Sequence, residues 1–125
     1  MLDHLIVTVS DFERSREFYA ACLEPLGYEV VLEFGRAVGF GVAGKPEFFI
    51  RAGGAVEPPI HIAFGSDDRA RVDRFYESAL AAGGRDNGAP GLRPEYHEDY
   101  YGAFVLDPDG HNVEAVCHLP EVDHA

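Results

Sequence analysis

Apolar and polar residues alternate from Leu2 to Val9, with Leu5, Val7 and Val9 on one side and His4, Ile6 and Thr8 on the other, the period of a strand with two distinct faces. Ser10-Asp11-Phe12-Glu13 then has the pattern of a capping box, and the spacing of Phe12, Ser15, Tyr19, Cys22 and Leu23 predicts a helix that Pro25 and Gly27 stop. Short strand patterns follow at Tyr28 to Glu33, Arg36 to Ala43 and Glu47 to Arg51, separated by turns at Phe34-Gly35-Arg36 and Gly44-Lys45-Pro46.

The same order then recurs. Ile60, Ile62 and Phe64 alternate with His61, Ala63 and Gly65. Asp67-Asp68 put negative charge at the start of a second helix, whose spacing runs through Val72, Phe75, Tyr76, Ala79 and Leu80 to Gly83-Gly84. A weak strand near Arg85 is followed by a Gly- and Pro-rich stretch from Asp86 to Asp99, which reads as a loop. Strong strands return at Tyr101 to Leu106 and His111 to Cys117, joined by an Asp107-Pro108-Asp109-Gly110 turn.

Sliding the chain against itself by 57 residues (61 − 4) aligns the two halves and gives seven identities over the 24 positions from His4 to Gly27. They are His4 with His61, Asp11 with Asp68, Arg14 with Arg71, Phe18 with Phe75, Tyr19 with Tyr76, Leu23 with Leu80 and Gly27 with Gly84. Average composition gives on the order of one or two by chance. A duplicated βαβββ module explains the register, with copies at about 2–53 and 59–118 and a flexible tail at 119–125. The expected fold class is α+β: one domain in which the two modules form a curled eight-stranded mixed sheet, helices on its convex face and the concave face left for a ligand.

Composition narrows the partners. The formal net charge of −12 repels polyanions, which excludes nucleic acid and acidic membrane surfaces as partners. No apolar run approaches the roughly 20 residues that span a bilayer, and no secretory signal is evident. The two cysteines, Cys22 and Cys117, lie in apolar stretches without metal-binding spacing and read as buried free thiols. A cytoplasmic, reducing location follows as the expectation.

The residues with chemistry cluster on one side of the strands. His4 and His61 hold equivalent places and by the period of two point away from the helix-packing residues, as does Thr8. On the last strand Glu114 sits between apolar neighbours, where a carboxylate needs a compensating cation. Two imidazoles and one carboxylate suit one divalent ion, Zn, Fe(II), Mn, Ni or Co, and leave positions open for water or substrate. Matching the turns at Gly44 and Gly110 places Phe48 opposite Glu114, as part of the pocket wall, and Glu47 one residue off, as the alternative fourth ligand. In the long loop, His97 and Tyr101 are candidates for acid or base, and Arg93 for holding an anionic group. Substrate contacts are thus expected from Thr8, Phe48 and Arg93. His111, His118 and His124 read as solvent-exposed.

The chain resembles the glyoxalase, bleomycin-resistance and ring-cleaving dioxygenase superfamily, whose members are also called vicinal oxygen chelate proteins. The resemblance runs from Asp3-His4, through the Ser10 to Tyr19 helix segment, to Asp107-Pro108-Asp109-Gly110-His111-Asn112-Val113-Glu114. It implies a metal set of His4, His61 and Glu114, and a lyase, isomerase, transferase or dioxygenase acting on a small molecule with vicinal oxygens. The three-ligand pattern is more similar to the fosfomycin-resistance and extradiol dioxygenase branches than to glyoxalase I. The alternative it implies is a metal-free protein that sequesters a small molecule, as bleomycin-resistance members do. A homodimer, in which a site can draw residues from both chains, is also what the resemblance implies.

Overall fold

The computed structural model describes residues 1–121 of the chain; 122–125, and with them His124, lie outside the described residues. In chain order the elements are β1 (Leu5–Val9), α1 (Phe12–Leu23), a short 3-10 turn at Glu24–Leu26, β2 (Glu29–Phe34), β3 (Ala37–Val42), β4 (Lys45–Ala52), β5 (His61–Ser66), α2 (Arg69–Ala81), β6 (Arg85–Leu92), β7 (Tyr101–Leu106) and β8 (Asn112–Cys117). Each half is a βαβββ unit. The eight strands form two four-stranded mixed sheets, ordered β1-β4-β3-β2 and β5-β8-β7-β6, and the two sheets are not joined into a closed one. In both, the last strand of the unit lies parallel to the first, so β1 and β5 each keep a free edge.

Local chemistry explains the helices. Asp11 caps α1 by accepting from the Arg14 N–H, and Asp68, its repeat mate, caps α2 by accepting from the Ala70 N–H. Ser10 is not the cap of α1; its hydroxyl and its N–H both go to the Asp109 carboxylate in the other unit. Phe12, Ser15, Phe18, Tyr19, Cys22 and Leu23 form the buried side of α1, and Val72, Phe75 and Ala79 that of α2. The helices pack against each other and against one face of the sheets, forming one apolar cluster with Val7, Val9, Val38, Phe40, Phe48 and Ile50 from the first sheet and Phe64, Ala103, Val105, Val113 and Ala115 from the second.

Two strand expectations need correction. The segment from Asp86 is not a loop: β6 runs through Gly88, Pro90 and Gly91 to Leu92. Proline and glycine are tolerated there because β6 is an edge strand whose pairing with β7 shifts twice. The turn between β3 and β4 is also tighter than expected. Ala43 and Gly44 alone make it, both at positive φ, while Lys45 and Pro46 belong to β4. Just beyond it the register slips between Phe40 and Gly41, bringing the chains so close that a Cβ at Gly41 would sit 1.8 Å from the Lys45 carbonyl oxygen.

The units are latched by the turn between β7 and β8. Asp107 is 2% exposed. One carboxylate oxygen accepts the N–H groups of Asp109 and His111, each at 2.9 Å, and the other accepts the Tyr19 hydroxyl from α1. His111, expected at the surface, is buried beside this turn, and its Nδ1 accepts the Ile60 N–H at 2.9 Å. That bond closes the chain just before β5 onto the turn before β8.

Replacing Asp107 by Ala strands the Tyr19 hydroxyl and two backbone N–H groups, so unfolding free energy should fall by about 3 kcal/mol. Urea titration with an unchanged slope measures it, and a loss near zero would mean the latch is slack. Cys22 and Cys117 are both free and buried, and burial pushes the Cys22 thiol far above its ordinary pKa. Neither should react with a disulfide reagent at neutral pH in the native protein, and both should react in denaturant; a fast native thiol would contradict the packing.

Candidate functional site

The face of each sheet turned away from the helices carries the residues with chemistry, and strand register decides which of them meet. The parallel pairing of β5 with β8 sets His61 beside Asn112 and Ala63 beside Glu114, while β7 sets Phe104 against Glu114 from the other side. Glu114 is 1% exposed, a costly position for a carboxylate unless both oxygens are partnered. They are. The His61 Nε2–H donates to Oε1 at 2.7 Å, and the Tyr100 hydroxyl donates to Oε2. Gly102 makes room for this, since a Cβ there would stand 3.1 Å from the Tyr100 ring and 3.4 Å from Oε2 of Glu114.

The patch extends outward from this pair. The His61 side chain is 54% exposed, so a buried carboxylate is linked to an imidazole that solvent and ligands can reach. The Arg93 guanidinium lies 5.4 Å from the centroid of the Phe104 ring and donates to the Ala89 carbonyl at 2.7 Å, and the His61 ring is 6.2 Å from the same phenyl group. Arg93 therefore shares the patch with His61 and Glu114. Burial raises the Tyr100 phenol well above its ordinary pKa, helped by its hydrogen bond to Glu114 and by the charge there, so the hydroxyl stays protonated and donating.

The other expected residues are dispersed. His4 lies with the first sheet, where its Nδ1 pairs with Asp3 at 2.7 Å and its ring meets the edge of Phe49 at 5.8 Å. Among the described residues no three His, Cys, Asp or Glu side chains converge as a metal site would require, so a single chain unites His61 with Glu114 and leaves His4 out. Thr8, paired with Arg51, shares the face of His4. Phe48 does not oppose Glu114. Leu5 pairs with Phe48 as Ile62 pairs with Val113, so the counterpart of Glu114 is Phe49, and Phe48 turns into the core at 2% exposure among Tyr19, Phe40 and Phe64. The slip arises because the β3–β4 turn has two residues and a following register shift, whereas five residues separate the paired Leu106 and Asn112. Glu47 shares the open face with Phe49 but matches Asn112, and accepts the Tyr28 hydroxyl at 2.9 Å.

Tyr101 is on the wrong side of its strand for a role beside Glu114. Its hydroxyl donates to Asp73 of α2 at 2.6 Å, and Arg69 lies over its ring at 5.2 Å. Tyr100 takes the place expected for it. Strand period alone could have shown this, because Tyr100, Gly102 and Phe104 share parity while Tyr101 falls in with Ala103 and Val105. His97 reaches Glu114 only through Tyr100: its ring is 5.4 Å from that of Tyr100 and stacks on His118 at 4.7 Å, with a hydrogen bond between the two imidazoles. His118 is exposed, as expected.

A Bacillus subtilis protein, YqjT, is 27% identical over 133 residues, covering 93% of this chain and 98% of its own. Among solved structures, a glyoxalase/bleomycin resistance protein from Albidiferax ferrireducens superposes with a TM-score of 0.79 at 24% identity, covering 92% of this chain and 97% of that one. The fosfomycin resistance protein FosX from Mesorhizobium loti gives a TM-score of 0.70 at 23% identity, over 94% of this chain and 91% of that one. These likenesses establish the fold. The sequence pattern that defines the Glyoxalase/Bleomycin resistance protein/Dioxygenase superfamily matches residues 1–115, and the chain belongs to that superfamily.

Proposed function

We propose that this chain is a metal-dependent enzyme acting on a small molecule with two adjacent oxygens, and that its site is shared between two copies of the chain. The observation that carries the reading is the Glu114–His61 pair. A carboxylate at 1% exposure is held against a half-exposed imidazole, a hard oxygen and a borderline nitrogen donor side by side at 2.7 Å. These donors fit a divalent cation but make only part of a facial set. His4, which fits the same chemistry, stands on the open face of the other module with no partner at the Glu114 site. A second copy that lays its first module against the second module of this one supplies it.

The open face of the first sheet supports that placement, since it leaves Ile6, Leu32 and Phe34 at 49%, 43% and 64% exposure. A dimer that covers them would bring Thr8 towards Arg93 as well. A bound divalent ion would act as a Lewis acid on the paired substrate oxygens. Tyr100 would orient the Glu114 carboxylate, Arg93 would hold a polar substrate group over Phe104, and His97 with His118 would back the Tyr100 ring. Among the described residues no helix is long and apolar enough to cross a membrane, and the free buried thiols support a reducing cytoplasm.

A metal-free binding protein is the second reading, and one observation favours it: both Glu114 oxygens already have hydrogen-bond donors from the chain. Metal analysis separates the two. Protein purified without an affinity tag should carry a divalent ion, lost in His4→Ala, His61→Ala and Glu114→Gln. Unfolding and refolding a mixture of His4→Ala and Glu114→Gln chains should restore metal to about a quarter of the sites, because half the dimers are mixed and each has one intact site. A metal-free wild type supports sequestration, and no restoration in the mixture refutes the shared site. Tyr100→Phe should keep the metal but weaken its retention against a chelator by about 10–100-fold. An unchanged competition curve would remove Tyr100 from the site.

A further inference from the structure

A cavity of about 420 Å³ opens between the free edges of β1 and β5, in the size range of small-ligand pockets. Leu5, Phe48, Ile62 and Phe64 give it an apolar lining, and Tyr28 adds its ring, T-shaped to Phe64 at 5.6 Å, at a mouth open to solvent. Leu5, Phe48, Ile62 and Phe64 point to the helix side of the sheets, while His61, Ala63 and Gly65, on the face that carries Glu114, and Glu47, on the open face of the first sheet, line the rest, so the cavity reaches from the apolar layer to the edge of the Glu114 face. His61 belongs to both, lining the cavity from β5 while its Nε2 holds Glu114.

The charges at the rim indicate what this space accepts. Asp3 is already answered, by His4 at 2.7 Å and by Lys45 at 3.3 Å. Glu47 is not. It accepts the Tyr28 hydroxyl on Oε2, and among the described residues no cation pairs with it. An open, largely apolar cavity with one unanswered carboxylate at its mouth, on a chain of net charge −12, selects for a ring or branched apolar body bearing an ammonium or another strong hydrogen-bond donor, and against an anion.

We infer that the slot between β1 and β5 binds the apolar body of a small amine, with Glu47 and Tyr28 receiving its cationic head and His61 joining it to the Glu114 site. The inference rests on the small-molecule reading above and narrows its substrate class to neutral or cationic compounds. Anionic substrates would have to enter from the Arg93 side.

Amide chemical shifts of the full chain at pH 7, titrated with benzylamine, benzyl alcohol and benzoate, provide the test. Benzylamine should move the signals of Leu5, Tyr28 and residues 61–65, and bind about tenfold more tightly than benzoate, with benzyl alcohol between them. Glu47→Gln should abolish the preference for benzylamine over benzyl alcohol, because the charge that separates the two probes is gone. In Glu114→Gln, which removes the proposed metal, the order of the three probes should persist, so a chain that fails the metal test can still pass this one. Benzoate binding as well as benzylamine, shifts confined to other residues, or an amine preference that survives Glu47→Gln would each overturn the inference.

Discussion

The constraint on which the site depends is the parallel pairing of the last strand of each module with its first. In a parallel pair every residue of one strand has a fixed neighbour on the next, and alternate residues share a face. The β5–β8 register sets His61 against Asn112 and Ala63 against Glu114, which leaves the imidazole and the carboxylate one step apart on one surface. The β1–β4 register does the same for the first module, with Ile6 against Phe49, so one architecture holds a carboxylate in one half where the other holds a phenyl ring. A shift of one residue in the β5–β8 pairing would send Glu114 into the helix layer, where Val113 and Ala115 now sit.

Burial gives that carboxylate its character. With both oxygens partnered by His61 and Tyr100, Glu114 is held in a single orientation, and the energetic penalty of an unpartnered charge would make it intolerant of losing either donor. The imidazole faces the opposite way, half in solvent. A group fixed from behind and open in front is how a binding or catalytic constellation is held ready, because the order is established before any ligand arrives.

The two modules depend on each other in ways that the repeat conceals. Asp107 and Asp109 lie in a turn of the second module, yet they hold Tyr19 and Ser10 of the first. Phe48 and Phe64, from different sheets, meet edge to face at 5.3 Å in the shared core. The free edges of β1 and β5 face the cavity between them, so the line along which the repeats meet is also where the chain leaves room for a small molecule.

The sequence by itself determined the repeat, the order of strands and helices, the segments in which the two helices start, and which face of each leading strand carries His4 and His61. All of these follow from local periodicity and composition, which neighbouring residues encode directly. Tertiary structure decided the rest. Phe49 rather than Phe48 matches Glu114 because turn length and a register slip are settled by how strands pair. Parity along the strand separates Tyr100 from Tyr101, but that the Tyr100 hydroxyl lands on Glu114 is set by the pairing of β7 with β8. His111 is buried because Ile60, distant in sequence, presents an N–H to its ring. His4 stands apart from His61 because equivalent positions in a repeat share a local environment, while their distance from each other is set only by how whole modules pack.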